Sequence, residues 1–293
     1  MKIGYCTWGM PTVPVDISIP FLARLGYEGV ELTVIPGYTT ELSRLDAAER
    51  QRIARMLRDH HLELPAIAAQ TPMVERDPDR AAVYWKRLTD AVDLAVDWAQ
   101  DGVPPAVDTT VGGASADWDD LKGLLFERMG ALVRYGEQRG VVIAAEPHVS
   151  DMLDRVDRVL ELLDAIRSPF LKLNFDISHF NVQGVPYQES VAALAPHSVH
   201  THVKSERGRA PHHEFLIPGE AEFDWAGYLH AMRAAGYDGF ITAEVSIMVQ
   251  RRPGYDPLAA AEQTYRTLRR AFDEAGIESS PRPRMGEGPG VRA

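Results

Sequence analysis

Short runs of apolar, β-branched residues alternate with longer amphipathic stretches from one end of the chain to the other. A strand followed by a helix, repeated eight times, predicts an α/β protein built as a single (β/α)8 TIM barrel. We predict strands near Lys2–Thr7, Gly29–Val34, Leu62–Ala69, Ala106–Val111, Val141–Pro147, Leu171–Ile177, Val199–Lys204 and Gly239–Val245. Helical periodicity predicts helices over Ile19–Leu25, Ala47–His60, Ala81–Gln100, Asp119–Arg139, Met152–Ile166, Pro186–Leu194, Trp225–Ala235 and Leu258–Ala275.

The alternative arrangement of such units is an open, doubly wound sheet. The first strand–helix turn, WGMPTVPVD, lacks the glycine-rich phosphate fingerprint of many such sheets, which favours the barrel. We therefore assign residues 1–278 to one barrel domain. Residues 279–293 are rich in Pro and Gly without periodicity, which predicts an irregular and flexible C-terminal tail.

Composition excludes several classes of protein. The formal net charge of −11 argues against a nonspecific nucleic-acid binder, which needs a cationic face. The single cysteine, Cys6, excludes a disulfide framework and a thiolate-rich metal site. No signal-peptide pattern and no apolar run of eighteen residues is present, so we expect a cytoplasmic protein without a membrane partner.

Four of the predicted strands end in polar residues. The run LNFDISH, for example, places Asp176 at the end of a strand that otherwise has the apolar character of a buried one. Because the carboxyl ends of barrel strands converge on one face, residues at these ends are expected to meet. They are, from strands five to eight, Glu146, Asp176, His202 and Glu244.

Three converging carboxylates would repel one another unless a cation lay among them. Three oxygen ligands and one imidazole suit a divalent ion, for which we predict Mn²⁺, with Mg²⁺ and Co²⁺ as alternatives. A single acidic residue at a strand end can instead be a helix N-cap. Three acidic residues and one histidine on four successive strands are harder to explain by capping.

The chain resembles the xylose-isomerase-like TIM-barrel family, which includes sugar-phosphate isomerases, ketose 3-epimerases, inosose dehydratases and endonuclease IV. The resemblance rests on the order and spacing of GYEGVEL, AAEPH, FDISH, HTHVKS, PGEAEFDW and GYDGFITAEVS, which span most of the chain. It implies that the four residues at the strand ends are metal ligands. It also implies that Glu146 and Glu244 form the catalytic acid–base pair.

Further residues are candidates for binding the substrate. The resemblance matches His179 to a substrate-contacting histidine and Arg209 to a substrate-holding arginine, with Arg207 as the competing choice. Position in the predicted barrel adds the remaining candidates, which are Trp8, Glu31, His148 and Lys204. The chain departs from the family at Ser205, where many members have aspartate, and at Met152, where the epimerases place a glutamate. The second departure weakens any transfer of their sugar preference.

Together these features predict a divalent-metal-dependent isomerase or epimerase of a small sugar or keto-polyol, acting by proton transfer through a metal-bound enediolate. The main alternative is a lyase on the same site, such as an inosose-type dehydratase or a 3-keto-glycoside β-eliminating enzyme. An abasic-site endonuclease would need further histidines and a cationic track, and a sugar-binding or regulatory barrel would show binding without turnover. The expected partners are a small-molecule substrate and a second copy in a homo-oligomer, but no nucleic acid.

Overall fold

The computed structural model describes residues 1–278, so the predicted tail, 279–293, lies outside the described residues. Eight parallel strands close into a barrel in the order β1-β10-β7-β6-β5-β4-β3-β2. They are β1 (Lys2–Cys6), β2 (Gly29–Thr33), β3 (Ala66–Ala68), β4 (Ala106–Thr110), β5 (Ile143–Glu146), β6 (Leu171–Asp176), β7 (Ser198–Val203) and β10 (Phe240–Ala243). Strands β8 (Ser205–Arg209) and β9 (His212–Leu216) form an antiparallel hairpin inserted after β7.

The helices surround this barrel. They are α1 (Val15–Leu25), α2 (Ala47–Asp59), α3 (Pro78–Asp97), α4 (Trp118–Glu137), α5 (Val156–Ile166), α6 (Ile177–Asn181), α7 (Tyr187–Leu194), α8 (Trp225–Ala234), α9 (Ile247–Gln250) and α10 (Pro257–Glu274). Aspartate side chains cap the N-termini of several of them, as Asp256 does for α10 by accepting hydrogen bonds from two backbone N–H groups. Within residues 1–278, no helix combines the length and the apolar character that crossing a bilayer would require.

The register of the strands aligns the polar residues of the barrel interior. Asp176 of β6 lies opposite His202 of β7, and His202 lies opposite Thr242 of β10. On the other side, Thr110 of β4 lies opposite Glu146 of β5. Because side chains alternate along a strand, these pairings direct one set of polar groups into the barrel near its carboxyl end.

Small residues lie beneath the polar groups on the same strand faces. Ala106 and Ala144 precede Asp108 and Glu146 by two positions, and with Ala66 they form a small buried cluster. The large apolar core lies mainly outside the strands, against the helices, and includes fully buried aromatic rings such as Phe272. The apolar side chains that stabilise the fold therefore lie mainly between the strands and the helices, and the polar side chains lie inside the barrel.

The predicted barrel is confirmed, and each predicted strand and helix overlaps an observed one. The predicted helix that began at Met152 starts later, at Val156, and the strand predicted from Leu62 is shortened to Ala66–Ala68. The hairpin of β8 and β9 and the short helices α6 and α9 were not predicted. The first hairpin strand, SERGR, is mostly half-buried or exposed, so it carries little apolar alternation.

The end of α1 depends on a glycine that also makes room for a ring. Gly26 has φ of 117°, and a Cβ there would collide with the Tyr265 ring. Gly37 also has a positive φ, 92°, but a Cβ there would meet nothing within 4 Å. We expect Gly37→Ala to lower the free energy of unfolding by about 1–2 kcal/mol, the usual cost of a left-handed residue with a Cβ.

Gly26→Ala should lower the free energy of unfolding by ~1–3 kcal/mol more than Gly37→Ala does, because overpacking adds to the backbone strain. Urea unfolding of the two variants checks this expectation. Equal destabilisation would show that the contact with Tyr265 is relieved without strain.

Candidate metal and active site

The four predicted ligands lie on adjacent strands of the barrel. Glu146 and Asp176 end β5 and β6, His202 lies near the end of β7, and Glu244 follows β10 directly. The side chains of the first three are fully buried, and that of Glu244 is 7% exposed. Because buried carboxylates need charged or hydrogen-bonding partners, each of these carboxylates requires a neutralising neighbour.

His202 lies between two carboxylates. Its Nδ1 is 2.9 Å from Glu146 Oε1, and its Nε2 is 2.5 Å from Glu31 Oε2. Burial acts to lower the pKa of His202, but the carboxylates of Glu31 and Glu146 outweigh burial and raise the pKa well above its ordinary value. The imidazolium form can donate to both neighbours, so His202 holds the two sides of the barrel interior together.

Lys204 neutralises the other two carboxylates. Its Nζ is 2.6 Å from Asp176 Oδ2 and forms a second ion pair with Glu244. Burial acts to lower the pKa of Lys204, but Asp176 and Glu244 raise it above the usual value for a lysine. The ammonium group therefore lies within the set of oxygens that was predicted to hold a metal ion.

Asp176 has two separate roles. One oxygen, Oδ1, accepts hydrogen bonds from the backbone N–H and the hydroxyl of Ser178, at 2.9 and 2.6 Å, and so caps α6. The other oxygen, Oδ2, faces Lys204. A helix N-cap and an ion pair with Lys204 therefore each account for one oxygen of this buried carboxylate.

Further polar groups contact two of the predicted ligands, His202 and Glu146. Glu31 is fully buried, and its Oε2 also lies 3.3 Å from His200 Nε2. Burial acts to raise the pKa of Glu31, but His202 and His200 lower it below its ordinary value. The Gln70 amide donates to Asp108 at 2.5 Å and to a second carboxylate oxygen, Glu146 Oε2, at 2.6 Å.

The pKa of Asp108 is shifted in the opposite direction from those of Glu31 and Glu146. Burial, followed by the charges of Glu146 and Glu31, raises the pKa of Asp108 well above its ordinary value. For Glu146, burial acts in the same direction, but His148 and His202 lower the pKa well below the ordinary value. The neighbouring histidines thus separate the pKa values of two buried carboxyl groups on adjacent strands.

Two histidines form one wall of the site. The rings of His148 and His179 stack with centroids 4.0 Å apart, and His148 Nε2 lies 3.0 Å from Glu146 Oε2. The backbone N–H of Val149 donates to His179 Nδ1. Burial, with His148 and Lys204 nearby, lowers the pKa of His179 well below its ordinary value, so the ring is neutral and its proton is on Nε2.

A cavity of about 490 Å³ opens above these groups. Its lining includes Trp8, His148, His179, Lys204 and Glu244, all of which the sequence identified as site residues. The structure brings these five predicted residues together on one surface.

Three predicted substrate contacts lie elsewhere. Arg207 and Arg209 are exposed on β8, away from the cavity lining, and Arg209 donates to the backbone carbonyl of Asn181 at 2.7 Å. The unpredicted hairpin carries both arginines outward, which accounts for the difference. Glu31, expected at the rim, is buried beneath His202 and contacts the interior instead.

The donor set suits a divalent ion. Donor atoms of Asp176, His202 and Glu244 all lie within 4.8 Å of one another, and Glu146 contacts the same imidazole. Among the described residues, no hydrogen-bond partner reaches the buried oxygens Glu31 Oε1 or Asp108 Oδ1. Carboxylate oxygens and one imidazole are ligands that Mn²⁺ and similar ions accept. An ion in this set would compete with Lys204 for Asp176 and Glu244.

The fold places the chain among the (β/α)8 barrels that carry polar groups at the carboxyl ends of their strands. Residues 19–278 match the model of the xylose isomerase-like TIM barrel family, and the chain belongs to that family.

Among curated relatives, fructoselysine 3-epimerase of Shigella flexneri is 24% identical over 261 residues, which cover 86% of this chain and 93% of that protein. The 3-dehydroshikimate dehydratase of Bacillus anthracis is 24% identical over 211 residues, covering 70% of this chain and 72% of that protein.

Solved structures share the architecture. The structure of IolI with a bound zinc atom superposes with a TM-score of 0.76 at 17% sequence identity, covering 94% of this chain and 98% of that one. At this identity the match establishes the common fold. The relatives thus include both an epimerase and a dehydratase.

Several site residues were not found from the sequence. Asp108 stands in AVDTT, where a carboxylate inside an otherwise buried strand was the available signal. Asn174, whose amide lies 3.1 Å from His202 Nδ1, precedes Asp176 on the same strand face. Phe215 lies in the hairpin that was not predicted, so its approach to the cavity had no sequence signal.

Removing the ammonium group should destabilise the metal-free protein. Lys204→Met leaves Asp176 and Glu244 without their cation, and breaking a buried ion pair costs about 3–5 kcal/mol. The control, Lys86→Met, removes an exposed lysine paired with Asp90, which is worth at most about 1 kcal/mol. Urea unfolding in the presence of a chelator measures both. A loss at Lys204 no larger than at Lys86 would contradict the assigned role.

Proposed function

We propose that this chain is a divalent-metal-dependent isomerase or epimerase of a small sugar or keto-polyol. The observation that carries the proposal is the placement of two acid–base groups on different sides of one cavity. Glu244 lines the cavity after β10, and His148, whose Nε2 lies 3.0 Å from Glu146 Oε2, lines it after β5. Strands β6 and β7, which carry Asp176 and His202, lie between them.

The residues that would hold the ion are Glu146, Asp176, His202 and Glu244. A bound divalent ion would polarise the carbonyl of a keto-sugar and acidify the adjacent C–H group. Mn²⁺ fits the oxygen-rich set best, with Mg²⁺ and Co²⁺ as alternatives. With Asp176 and Glu244 engaged as ligands, Lys204 would be free to donate to a hydroxyl group of the substrate.

Proton transfer then falls to the residues that reach the cavity. In the proposal, the Glu244 carboxylate removes the proton next to the carbonyl on one face of the substrate, and the Glu146–His148 pair delivers a proton on the other. Delivery of the proton to the same carbon inverts the configuration of that carbon, whereas delivery to the neighbouring carbon converts a ketose into an aldose or the reverse. The match to a 3-epimerase supports the first outcome.

Two lining residues would orient the substrate. The neutral His179 ring accepts the Val149 N–H at Nδ1, so its Nε2–H group can donate to a sugar hydroxyl. Trp8, which follows β1, offers an aromatic face in the same lining, a surface on which a sugar ring can pack. Arg207 and Arg209 take no part in this proposal, since neither lines the cavity.

A lyase is the second candidate, and the match to a dehydratase supports it. Removal of the same proton can be followed by departure of a hydroxyl or glycosyl group from the carbon next to the one that was deprotonated. The C–O bond then breaks with its electron pair, and the leaving oxygen takes a proton from a residue such as His148. Mass spectrometry of the product separates the reactions, since an isomerase conserves the mass and a lyase loses water or an aglycone.

Glu244→Gln should abolish turnover without unfolding the protein. The amide cannot accept the proton, so kcat should fall by roughly 10²- to 10⁴-fold on whichever keto-sugar the wild type converts. The control, Glu214→Gln, alters an exposed carboxylate on β9 that pairs with Arg252, and it should leave kcat within about twofold. The measurements are kcat with Mn²⁺ supplied and the bound metal content. Undiminished kcat in Glu244→Gln would refute the catalytic role.

A further inference from the structure

The cavity is divided into a polar half and an apolar half. His148, His179, Lys204 and Glu244 form the polar half described above. The remaining lining includes a group that we call the apolar rim, which consists of Trp8, Phe215, Ile247 and Met248. The proposed proton transfer at a keto-sugar uses the first half and leaves the apolar rim without a role, apart from Trp8.

The fold makes the apolar rim continuous. Trp8 follows β1, Ile247 and Met248 begin α9 after β10, and Phe215 lies on β9, in the hairpin that follows β7. Strands β7, β10 and β1 are consecutive in the barrel, so these segments occupy one sector of its mouth. The backbone N–H of Phe215 contacts Met248 Sδ at 3.5 Å, which joins the hairpin to α9.

The apolar rim is anchored to the surrounding structure. The Gln250 amide donates to the backbone carbonyl of Trp8 at 2.9 Å, and the Trp8 ring lies 5.5 Å from that of Tyr38. Ser246 caps α9 by accepting the N–H of Met248. The positions of these apolar groups are therefore set before a ligand arrives, which lowers the entropy lost on binding.

Exposure distinguishes the apolar rim from ordinary core. Ile247 and Met248 are 42% and 41% exposed, although they stand beside a cluster of buried charges. Phe215 is nearly buried, and the Lys204 ammonium lies 5.2 Å from its ring centroid, where the two halves meet. Exposed apolar groups that line a cavity together with a few polar groups are typical of a ligand site.

A bare polyol would leave the apolar rim unmatched, because every carbon of such a sugar carries a polar group. Resting on the proposed function, we infer that the substrate is a keto-sugar bearing an apolar substituent, such as the aryl aglycone of a glycoside. The sugar occupies the polar half and the aglycone covers the apolar rim. Lys204 is the one lysine or arginine among the described residues lining the cavity, so the lining is poorly suited to a phosphorylated sugar.

The test compares the methyl and phenyl glycosides of one 3-keto-hexose, with the Mn²⁺-loaded protein. Calorimetry gives Kd, and steady-state kinetics gives KM and kcat wherever turnover occurs. Burial of the phenyl ring should make the phenyl glycoside bind roughly 10- to 100-fold more tightly than the methyl glycoside. Equal affinities, or binding of neither glycoside, would overturn the inference.

Substitutions in the apolar rim test whether these residues cause the tighter binding of the phenyl glycoside. Ile247→Ser and Met248→Ser should each reduce the phenyl-to-methyl affinity ratio by at least threefold and leave methyl glycoside binding nearly unchanged. Ile17→Ser, which alters a side chain 50% exposed on α1, should leave the ratio as in the wild type. A ratio unaffected by changes at Ile247 and Met248 would count against the inference. Retention of the ratio without turnover would count against the proposed function and leave the apolar rim as the binding site of the substituent.

Discussion

The neutralisation of buried carboxylates is the constraint on which the rest of this structure depends. Glu146, Asp176 and Glu244 converge at one mouth of the barrel, and two cationic side chains, His202 and Lys204, lie between them. Without these cations the carboxylates would face both desolvation and mutual repulsion. His202 bridges Glu31 and Glu146, whereas Lys204 bridges Asp176 and Glu244. The polar interior therefore has two halves, each with its own cation. A divalent ion would enter where these halves meet.

The barrel makes this arrangement possible because it separates stability from function. The apolar residues that stabilise the fold lie between the strands and the surrounding helices, while the interior near the carboxyl ends holds polar side chains above a layer of alanines. Loops after consecutive strands then add different surfaces to one cavity. Those after β5 and β6 contribute histidines, and those after β7, β10 and β1 contribute apolar groups. Under the proposed function, one opening recognises both the sugar and its substituent.

Much of the fold could be predicted because hydrophobic periodicity and strand-end polarity are local properties of the sequence. The predicted strands around Glu146, Asp176, His202 and Glu244 carry these residues near their carboxyl ends, and the carboxyl ends of barrel strands share one rim. The hairpin could not be predicted, because its half-exposed strands lack an apolar run or a regular alternation. The contacts of Lys204 could not be predicted either, since a long flexible side chain can point to a carboxylate or to a substrate.

We propose that Glu146, Asp176, His202 and Glu244 form one divalent-ion site, and that Lys204 neutralises Asp176 and Glu244 when the ion is absent. Anomalous diffraction from crystals grown with Mn²⁺ tests it most directly. The account predicts one anomalous peak enclosed by these four side chains, with the Lys204 ammonium displaced from Asp176. Crystals in which that position shows no anomalous signal, and in which Lys204 keeps its contacts with both carboxylates at saturating Mn²⁺, would contradict it.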